Sequence, residues 1–246
     1  MLGATGEGDR PDFTGKRVVI VGGGNVAMDA TRTAKRLGAK SATCVYRRRI
    51  ADMTALPEEV AGAQAEGCEV MQLMAPVRVA VRDGHVTGLV VKPQIAGAIK
   101  GGRPSPVNST EPEQTIPCDI IVAAIGQKVD DTGLDLKAEG VFVGGDCHTG
   151  PATVIRAIDA GRCAAVNICE TLAQDERLET GDPVEIPPAS AGQRLHWGRV
   201  NMQERAAEER KGDFNLMEKC LTDEEAAQEC SRCLRCDHCG FGAFRK

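Results

Sequence analysis

Residues 15–49 read GKRVVIVGGGNVAMDATRTAKRLGAKSATCVYRRR, and this stretch decides the fold. Residues 18–21 form a short β-branched run, which predicts a strand buried on both faces. The next letters, GGGNVA at residues 22–27, match the pattern GxGxxA and open a helical pattern that continues to about Leu37. A second strand is predicted over residues 41–46. The stretch therefore predicts one complete βαβ unit.

The residue types of the glycine turn point to dinucleotide binding. Gly22 allows a tight turn out of the strand, and Gly24 lets the backbone approach a pyrophosphate closely. Ala27 lets the helix pack near the sheet, and the helix N-terminus favours phosphate charge. The alternative is a simple glycine turn before a helix. The predicted cofactor-binding residues here are Gly22, Gly23, Gly24, Asn25, Val26 and Ala27.

Three arginines follow the second strand, at residues 47–49. A site that prefers NAD usually has an acidic residue there, which binds the ribose 2′-hydroxyl. A guanidinium instead pairs with a 2′-phosphate through two hydrogen bonds. Arg47 and Arg48 are therefore predicted to select NADP(H), ahead of Arg49. The alternative is a solvated basic patch.

The composition describes an ordinary globular chain of 246 residues, 42% hydrophobic and 26% charged. Its net charge of −5 argues against general nucleic-acid binding. No apolar stretch reaches the ~20 residues of a membrane span, and residues 1–15 have no signal-peptide pattern. We therefore expect a cytoplasmic protein that binds no nucleic acid and does not insert into membranes.

Eleven cysteines are present, and four of them form one run near the C-terminus. In a reducing compartment such a run predicts a metal or cluster site rather than disulfides. A zinc site usually draws two cysteine pairs from separate knuckles, whereas cysteines spaced by three are typical of a 4Fe–4S cluster. The 4Fe–4S cluster is the first interpretation, and zinc or an unliganded run are the alternatives. The predicted ligands are Cys230, Cys233, Cys236 and Cys239.

Further patterns complete the organisation. A helix is predicted near Pro57, a strand over residues 69–73, and a hairpin around Asp83-Gly84. Residues 101–114 are polar and proline-rich and predict an exposed loop. Strands are also predicted over residues 118–125 and 140–146, and the remaining predicted helices lie at residues 151–172 and, as a charged surface helix, at residues 200–211.

Together these motifs resemble the small-subunit glutamate synthase group of FAD- and NADPH-dependent oxidoreductases, which includes the NADPH-binding subunit of electron-bifurcating ferredoxin:NADP transhydrogenase. The matching stretches are residues 22–48, 57–59, 124–127, 144–146 and 150–153. The resemblance covers about residues 12–172. Singly the motifs are weak, but their combination is specific.

The resemblance implies roles for residues beyond the glycine turn. Ala124, Ile125 and Gly126 would form the loop that returns from the NADPH domain. Gly145 and Asp146 would belong to a FAD domain, with Asp146 bonding the ribityl chain. The helix that follows Ala152 and Thr153 would direct its N-terminal N–H groups at the flavin. The alternative for Asp146 is a strand-end aspartate that caps the next helix.

The sequence also departs from this family. Its members carry two dinucleotide fingerprints, of which the first binds the ADP half of FAD, whereas this chain has one. Either the chain is a fragment, or a partner chain supplies the N-terminal FAD half. The expected fold class is α/β: a Rossmann-like three-layer dinucleotide-binding domain, a C-terminal segment of a FAD-binding domain, and a cysteine-rich tail. The predicted segments are an arm (1–15), the NADP(H)-binding domain (16–126), the FAD-domain segment (127–172), a linker with a surface helix (173–213) and an iron–sulfur tail (214–246).

The predicted function is pyridine-nucleotide-linked electron transfer by an oxidoreductase subunit. NADP(H) and FAD would exchange a hydride, and the cluster would pass single electrons to other redox subunits or a ferredoxin. Because hydride transfer needs no protein acid or base for the hydride itself, we name no catalytic residue. The main alternative is a non-catalytic NADP(H)-binding module with a zinc-bound docking tail. A plain NADPH-dependent dehydrogenase is less favoured, because no Tyr-Lys or His-Asp arrangement is evident.

Overall fold

The computed structural model describes residues 11–130, 132–133, 135–172 and 198–232. Within them the strands β1 to β8 span Arg17–Val21, Ser41–Val45, Glu69–Met71, Met74–Arg82, His85–Lys100, Arg103–Asn108, Gln114–Pro117 and Ile120–Ala123. The helices α1 to α6 span Asn25–Arg36, Pro57–Ala65, Asp146–Thr149, Val154–Thr171, Ala207–Arg210 and Asp223–Ser231. None of these described helices is long and apolar enough to cross a membrane. The chain divides into two compact units, one formed by Met1–Ile125 with Ala191–Lys246 and the other by Gly126–Ser190.

A parallel sheet organises the first unit. Its strand order is β3-β2-β1-β8, so β1 lies between β2 and β8. Val19 lies opposite Thr43 of β2, and Ile20 lies opposite Val122 of β8. The sequence β1-α1-β2 matches the βαβ unit predicted from residues 15–49. Because crossover helices place successive parallel strands side by side, this unit brings the glycine turn to the carboxyl edge of the sheet.

Two apolar clusters cover the two faces of this sheet. On one face, Ile20 packs against Met28 of α1 and Val60 of α2. On the other face, Val19 and Val45 pack against β5 of a second sheet, through Leu89 and Val91. Helices, parallel sheet and antiparallel sheet therefore form three layers, which confirms the predicted Rossmann-like α/β class.

The second sheet is antiparallel and is built around β5, which pairs with β4, β6 and β7. The predicted β4–β5 hairpin is confirmed: Asp83 and Gly84 have φ values of 51° and 78°, as a type I′ turn requires. The predicted exposed loop is wrong over Arg103–Asn108, which is β6. The prolines of this segment argued against a strand, but β6 pairs only with β5 and is an edge strand, where proline is tolerated.

The C-terminal segment, residues 198–232, belongs to the first unit. The predicted surface helix over residues 200–211 is wrong, because helix is limited to Ala207–Arg210 and Arg210 is buried. Arg210 forms an ion pair with Glu66, which directly follows α2. The charge pattern of residues 200–211 does not reveal the burial of Arg210, because its buried partner Glu66 lies far away in the sequence.

The second unit contains α3 and α4. The predicted strand over residues 140–146 is wrong: residues 141–144 pair with no strand of the part that the structure describes, and α3 begins at Asp146. A strand pattern needs a partner strand for its backbone groups, and the described residues supply none here. The predicted long helix exists as α4, which begins at Val154 rather than near Pro151. None of the 18 residues of α4 is buried.

Candidate functional site

The glycine turn joins β1 to α1 and is sterically closed at its first position. A Cβ at Gly22 would lie 2.3 Å from the carbonyl oxygen of Ala124, at the end of β8, and 3.1 Å from Cβ of Ala27. No side chain larger than hydrogen fits there. The roles expected for Gly22 as a tight turn and for Ala27 as a close helix contact therefore agree with the packing.

The second glycine has a role that the sequence did not indicate. A Cβ at Gly23 would lie 2.3 Å from Cε2 of Tyr46, so the tyrosine ring lies directly against this peptide. The hydroxyl group of Tyr46 donates a hydrogen bond of 3.0 Å to the carbonyl oxygen of Asp52. The ring therefore links the glycine turn to the segment after β2. An aromatic residue at the end of β2 was the only available signal.

A loop after β2 holds the turn in place. The backbone N–H groups of Thr54 and Ala55 donate hydrogen bonds of 3.0 and 3.1 Å to the carbonyl oxygen of Gly23. The amide oxygen of Asn25 accepts a hydrogen bond of 2.9 Å from the backbone N–H of Leu56. The amide oxygen of Asn25 is thus already engaged by the backbone of the loop after β2.

The start of α1 is left open for an anion. Gly24 is the N-cap, no side chain caps the helix, and its first turn has no acidic residue. A Cβ at Gly24 would meet only Oγ1 of Thr54, at 3.4 Å, so the fold itself does not exclude alanine there. Val26, in the same turn, is exposed. Bare N–H groups and the positive end of the helix dipole are suited to a phosphate.

The three arginines after β2 have different surroundings. Arg49 pairs with Asp52, through hydrogen bonds of 2.7 and 2.9 Å that hold the pKa of this carboxyl below its ordinary value. Arg48 is half-buried, and its Nε donates a hydrogen bond of 2.8 Å to the carbonyl oxygen of Pro104 in β6. Arg47 is exposed, and it has no polar partner among the described residues. Of the three, Arg47 is the one whose whole guanidinium has no hydrogen-bond partner among the described residues.

The returning loop begins at Ala124, whose backbone N–H donates a hydrogen bond of 2.8 Å to the carbonyl oxygen of Val21. Ile125, the next residue, is 74% exposed at the same edge of the sheet. Gly126 has φ of 82° and begins the second unit. Ala124 and Ile125 therefore lie beside the glycine turn, while Gly126 belongs to the other unit.

In the second unit, the predicted flavin residues lie at the starts of two helices. Gly145 is the N-cap of α3, and Asp146 is its first residue. Asp146 therefore caps neither helix, because the cap of α4 is Thr153, whose side chain accepts a hydrogen bond from the backbone N–H of Arg156. Ala152 is exposed. An open cleft of about 340 Å³ lies between residues 141–144 and α4.

The predicted cluster ligands lie mostly outside the described residues. Cys230, in the last turn of α6, is exposed, whereas Cys233, Cys236 and Cys239 lie beyond residue 232. Among the described residues no group of three or more His, Cys, Asp or Glu side chains is arranged to hold a metal. The ligand set therefore remains a prediction.

Three cysteines of the first unit are buried: Cys44, Cys68 and Cys118. Burial raises the pKa of both Cys44 and Cys68 to about 11. These thiols stay protonated at neutral pH, and they pack as small apolar side chains. In the second unit, by contrast, Cys147 and Cys163 are exposed and Cys169 is half-buried.

The family model described as pyridine nucleotide-disulphide oxidoreductase matches residues 4–161, which include the glycine turn and most of the second unit. The chain belongs to this oxidoreductase family. The match confirms the enzyme class predicted from the sequence, and it supports NADP(H) and FAD as the cofactors.

Similar proteins agree with this family. The β subunit of the NADP(+)-dependent formate dehydrogenase of Moorella thermoacetica is 35% identical over 94% of this chain and 37% of that subunit. The β subunit of the NADPH-Fe(3+) oxidoreductase of Geobacter sulfurreducens is 33% identical over 96% of this chain and 43% of that subunit. A putative glutamate synthase [NADPH] small chain of Cereibacter sphaeroides is 34% identical over 68% and 46%. The resemblance to the glutamate synthase small-chain group is thus confirmed, and the chain spans less than half the length of these relatives.

Solved structures show the fold. FprA of Mycobacterium tuberculosis in complex with NADPH gives a TM-score of 0.51 at 16% identity, over 68% of this chain and 56% of that chain. Thioredoxin reductase of T. acidophilum gives 0.50 at 20% identity, over 65% and 54%. At these identities the likeness supports the Rossmann-type architecture alone.

Proposed function

We propose that this chain is the NADP(H)-binding part of a flavin-dependent, NADPH-linked electron-transfer oxidoreductase. The observation that carries the proposal is the sterically closed glycine turn, together with the uncapped N-terminus of α1 and the exposed Arg47 after β2. When bound, NADP(H) and FAD supply hydride exchange, and an iron–sulfur cluster supplies onward single-electron transfer to a partner.

The residues around the glycine turn would hold the pyrophosphate of NADP(H). Gly22 and Gly23 keep the backbone close to Ala124 and Tyr46, so the turn is packed against the protein at these two positions. Gly24, Asn25, Val26 and Ala27 begin α1, where N–H groups face the phosphate charge. Ala124, Ile125 and Gly126 would contact the remainder of the dinucleotide.

The 2′-phosphate would be bound by Arg47, with help from Arg48. Arg47 offers an uncommitted guanidinium, whereas Arg48 uses its Nε on Pro104 and keeps its two terminal nitrogens for a ligand. Because two N–H groups of one guanidinium match two phosphate oxygens, the site would prefer NADP(H) to NAD(H).

The second unit would contribute one side of a FAD site. Gly145 and Asp146 would approach the ribityl chain, and the α4 start at Ala152 and Thr153 would direct N–H groups towards the flavin. The apolar side chains of Val154 and Ile155 are 77% and 79% exposed, as expected for a surface that another part of the FAD domain covers. We propose that a partner chain supplies this N-terminal FAD half.

The C-terminal run would hold a 4Fe–4S cluster through Cys230, Cys233, Cys236 and Cys239. Four thiolates are the usual ligand set of such a cluster. A zinc-bound docking tail on a non-catalytic NADP(H)-binding module is the alternative function. The electron-transfer function requires iron and the docking function requires zinc, so the colour and iron content of the protein distinguish them.

One experiment tests both parts of the proposal. The full chain is purified anaerobically, alone and with a candidate partner that carries a glycine-rich βαβ unit, and its flavin, iron and zinc are measured. We expect iron in both preparations and FAD retained through gel filtration only with the partner. Tight FAD on the isolated chain would refute the shared site. One zinc and no iron would favour the docking module.

A further inference from the structure

The C-terminal segment contains a closed loop, residues 203–219, which we name the clasp. The backbone N–H of Arg205 donates a hydrogen bond of 2.8 Å to the carbonyl oxygen of Met217, and that of Lys219 donates one of 2.7 Å to Gln203. Inside the loop, the guanidinium of Arg205 donates two hydrogen bonds of 2.8 Å to the carboxylate of Asp213. These contacts give the clasp a fixed shape although it contains only one turn of helix.

The clasp meets the helix layer at a buried carboxylate. The side chain of Glu66 is 0% exposed, and three guanidinium groups surround it. Arg32 and Arg36 of α1 donate hydrogen bonds of 2.7 and 2.8 Å to its Oε1. Nε of Arg210, from the clasp, lies 3.1 Å from the same oxygen. One carboxylate therefore joins α1 to the clasp.

The charges of this cluster are balanced. Arg32 also pairs with Glu59 of α2, at 2.6 Å, and Arg210 also pairs with Glu204 of the clasp. Three cations thus face three carboxylates, counting Glu66. A buried carboxylate that lost one of these cations would be left partly uncompensated, which is strongly unfavourable.

Two further side chains of the clasp rest on the same arginines. The Met217 sulfur lies 2.9 Å from a terminal nitrogen of Arg32 and 3.0 Å from one of Arg36. The ring of Phe214 lies against Arg36, with 6.0 Å between Cζ and the ring centroid. The contact between clasp and α1 therefore combines charge with apolar packing.

The cysteine-bearing helix continues from the clasp. Thr222 and Glu225 form a capping box at the start of α6, three residues after the clasp ends. The carboxylate of Glu229 accepts a hydrogen bond of 2.5 Å from the backbone N–H of Val200, and the Gln228 side chain donates one of 2.8 Å to Gly198. Cys230 lies next to these anchored positions.

We propose that Glu66 is a positioning residue, which holds the clasp, and with it helix α6 that carries Cys230, on helix α1 of the NADP(H)-binding domain. The same helix begins at the glycine turn and carries Arg32 and Arg36 in its second half. The helix that carries Cys230 and the glycine turn are thereby tied to one helix about 18 Å long. The positional role stands on the contacts above, and its relevance to electron transfer rests on the proposed function.

The test uses the full chain with its partner and the variant Arg210→Met, which removes the cation of the clasp and leaves Arg32 and Arg36 on Glu66. Hydrogen exchange of the Arg205 and Lys219 amides should become at least about tenfold faster, because removing one partner of a buried pair favours local opening. The matched control is Arg78→Met, which removes an exposed pair with Glu113 and should leave exchange in the clasp unchanged. Glu66→Gln is the second variant, since glutamine keeps hydrogen-bond acceptance without the charge.

A second measurement separates positioning from general destabilisation. After NADPH is mixed with the protein, flavin bleaching should proceed at the wild-type rate in Arg210→Met, while the electron paramagnetic resonance signal of the reduced cluster should develop more slowly. Wild-type exchange in the clasp of both Arg210→Met and Glu66→Gln would overturn the proposal, as would a cluster signal that develops at the wild-type rate. If the wild-type protein holds no iron, the proposed function fails, and the exchange measurement alone decides the role of Glu66.

Discussion

Helices α1 and α4 are both amphipathic, but their surroundings are opposite. Six of the 12 residues of α1 are buried, and four of them belong to the apolar cluster that covers one face of the parallel sheet. None of the 18 residues of α4 is buried, and its apolar residues Val154, Ile155 and Ile158 are all exposed. An apolar helix face needs a matching surface, and of these two helices only α1 has one among the described residues. We therefore infer that the first unit forms the proposed nucleotide site with its own elements, whereas the second would form only one side of the proposed FAD site.

The largest expected effect compares matched substitutions on these two helices. Ala34 of α1 is fully buried, so Ala34→Asp places an unpaired charge in the core and should lower the unfolding free energy by about 3–5 kcal/mol. Ile155 of α4 is exposed, so Ile155→Asp should change it by less than about 0.5 kcal/mol. Urea unfolding followed by circular dichroism measures both values.

The same two substitutions test whether the exposed face of α4 contacts the partner chain. Ile155→Asp should abolish FAD retention in the presence of the partner, although the chain alone keeps its stability. If both substitutions destabilised the isolated chain equally, α4 would already be covered in the chain, and the contrast between the units would be wrong.

The next prediction compares substitutions at two glycines of the glycine turn. Gly22→Ala forces a Cβ to within 2.3 Å of the Ala124 carbonyl oxygen and should cost about 3 kcal/mol or more. Gly24→Ala meets no such contact, so the protein should fold normally but bind NADPH more weakly, because the added methyl group lies where the pyrophosphate would approach. Thermal unfolding and NADPH titration of both variants give the two readouts. Unchanged NADPH affinity in Gly24→Ala would place the pyrophosphate elsewhere.

A smaller effect is expected among the arginines after β2. Arg47→Ala should weaken NADPH binding by about 1.5–3 kcal/mol, the value of a charge-assisted hydrogen bond, and leave NADH binding nearly unchanged. Arg49→Ala should have a smaller effect, because Arg49 is already paired with Asp52. Fluorescence titration with both nucleotides distinguishes the variants. Equal losses for NADPH and NADH would remove the 2′-phosphate role from Arg47.

The smallest effect concerns acid sensitivity of the first unit. Burial works to raise the pKa of Glu66, but hydrogen bonds from Arg32 and Arg36 outweigh it and lower this pKa below its ordinary value of 4.5. Such a group stabilises the folded state above the pKa of the unfolded chain, and the contribution is lost as the pH falls through the folded pKa.

The groups that face Glu66 are Arg32, Arg36 and Arg210, with Glu59 and Glu204 beyond them, and Cys68 nearby. The thermal stability of the wild type should therefore exceed that of Glu66→Gln at neutral pH, and the difference should shrink below about pH 4.5. Melting curves from pH 3 to pH 7 measure it. A difference that stays constant with pH would show that the charge of Glu66 does not matter.

Much of the first unit follows from local sequence patterns. The run at residues 18–21, the pattern GxGxxA and the Asp83-Gly84 turn each depend on neighbours within a few residues, and each appears in the structure where it was expected. The chain position of the arginines was equally clear. Their separate surroundings were not predicted, because Pro104, which accepts a hydrogen bond from Arg48, is remote from it in sequence. Arg47 and Arg48 were both expected to bind the 2′-phosphate, ahead of Arg49.

What the sequence alone determined is the set of elements with a strong local signal: the βαβ unit, its glycine turn and the family to which it belongs. Only the tertiary structure showed that residues 103–108 form an edge strand and that the strand-like residues 141–144 have no described partner. It alone placed Arg210 on Glu66, 144 positions away in the sequence. The physical reason is the same in each case. Backbone pairing and burial of charge depend on groups brought together from distant parts of the chain, and no local pattern records them.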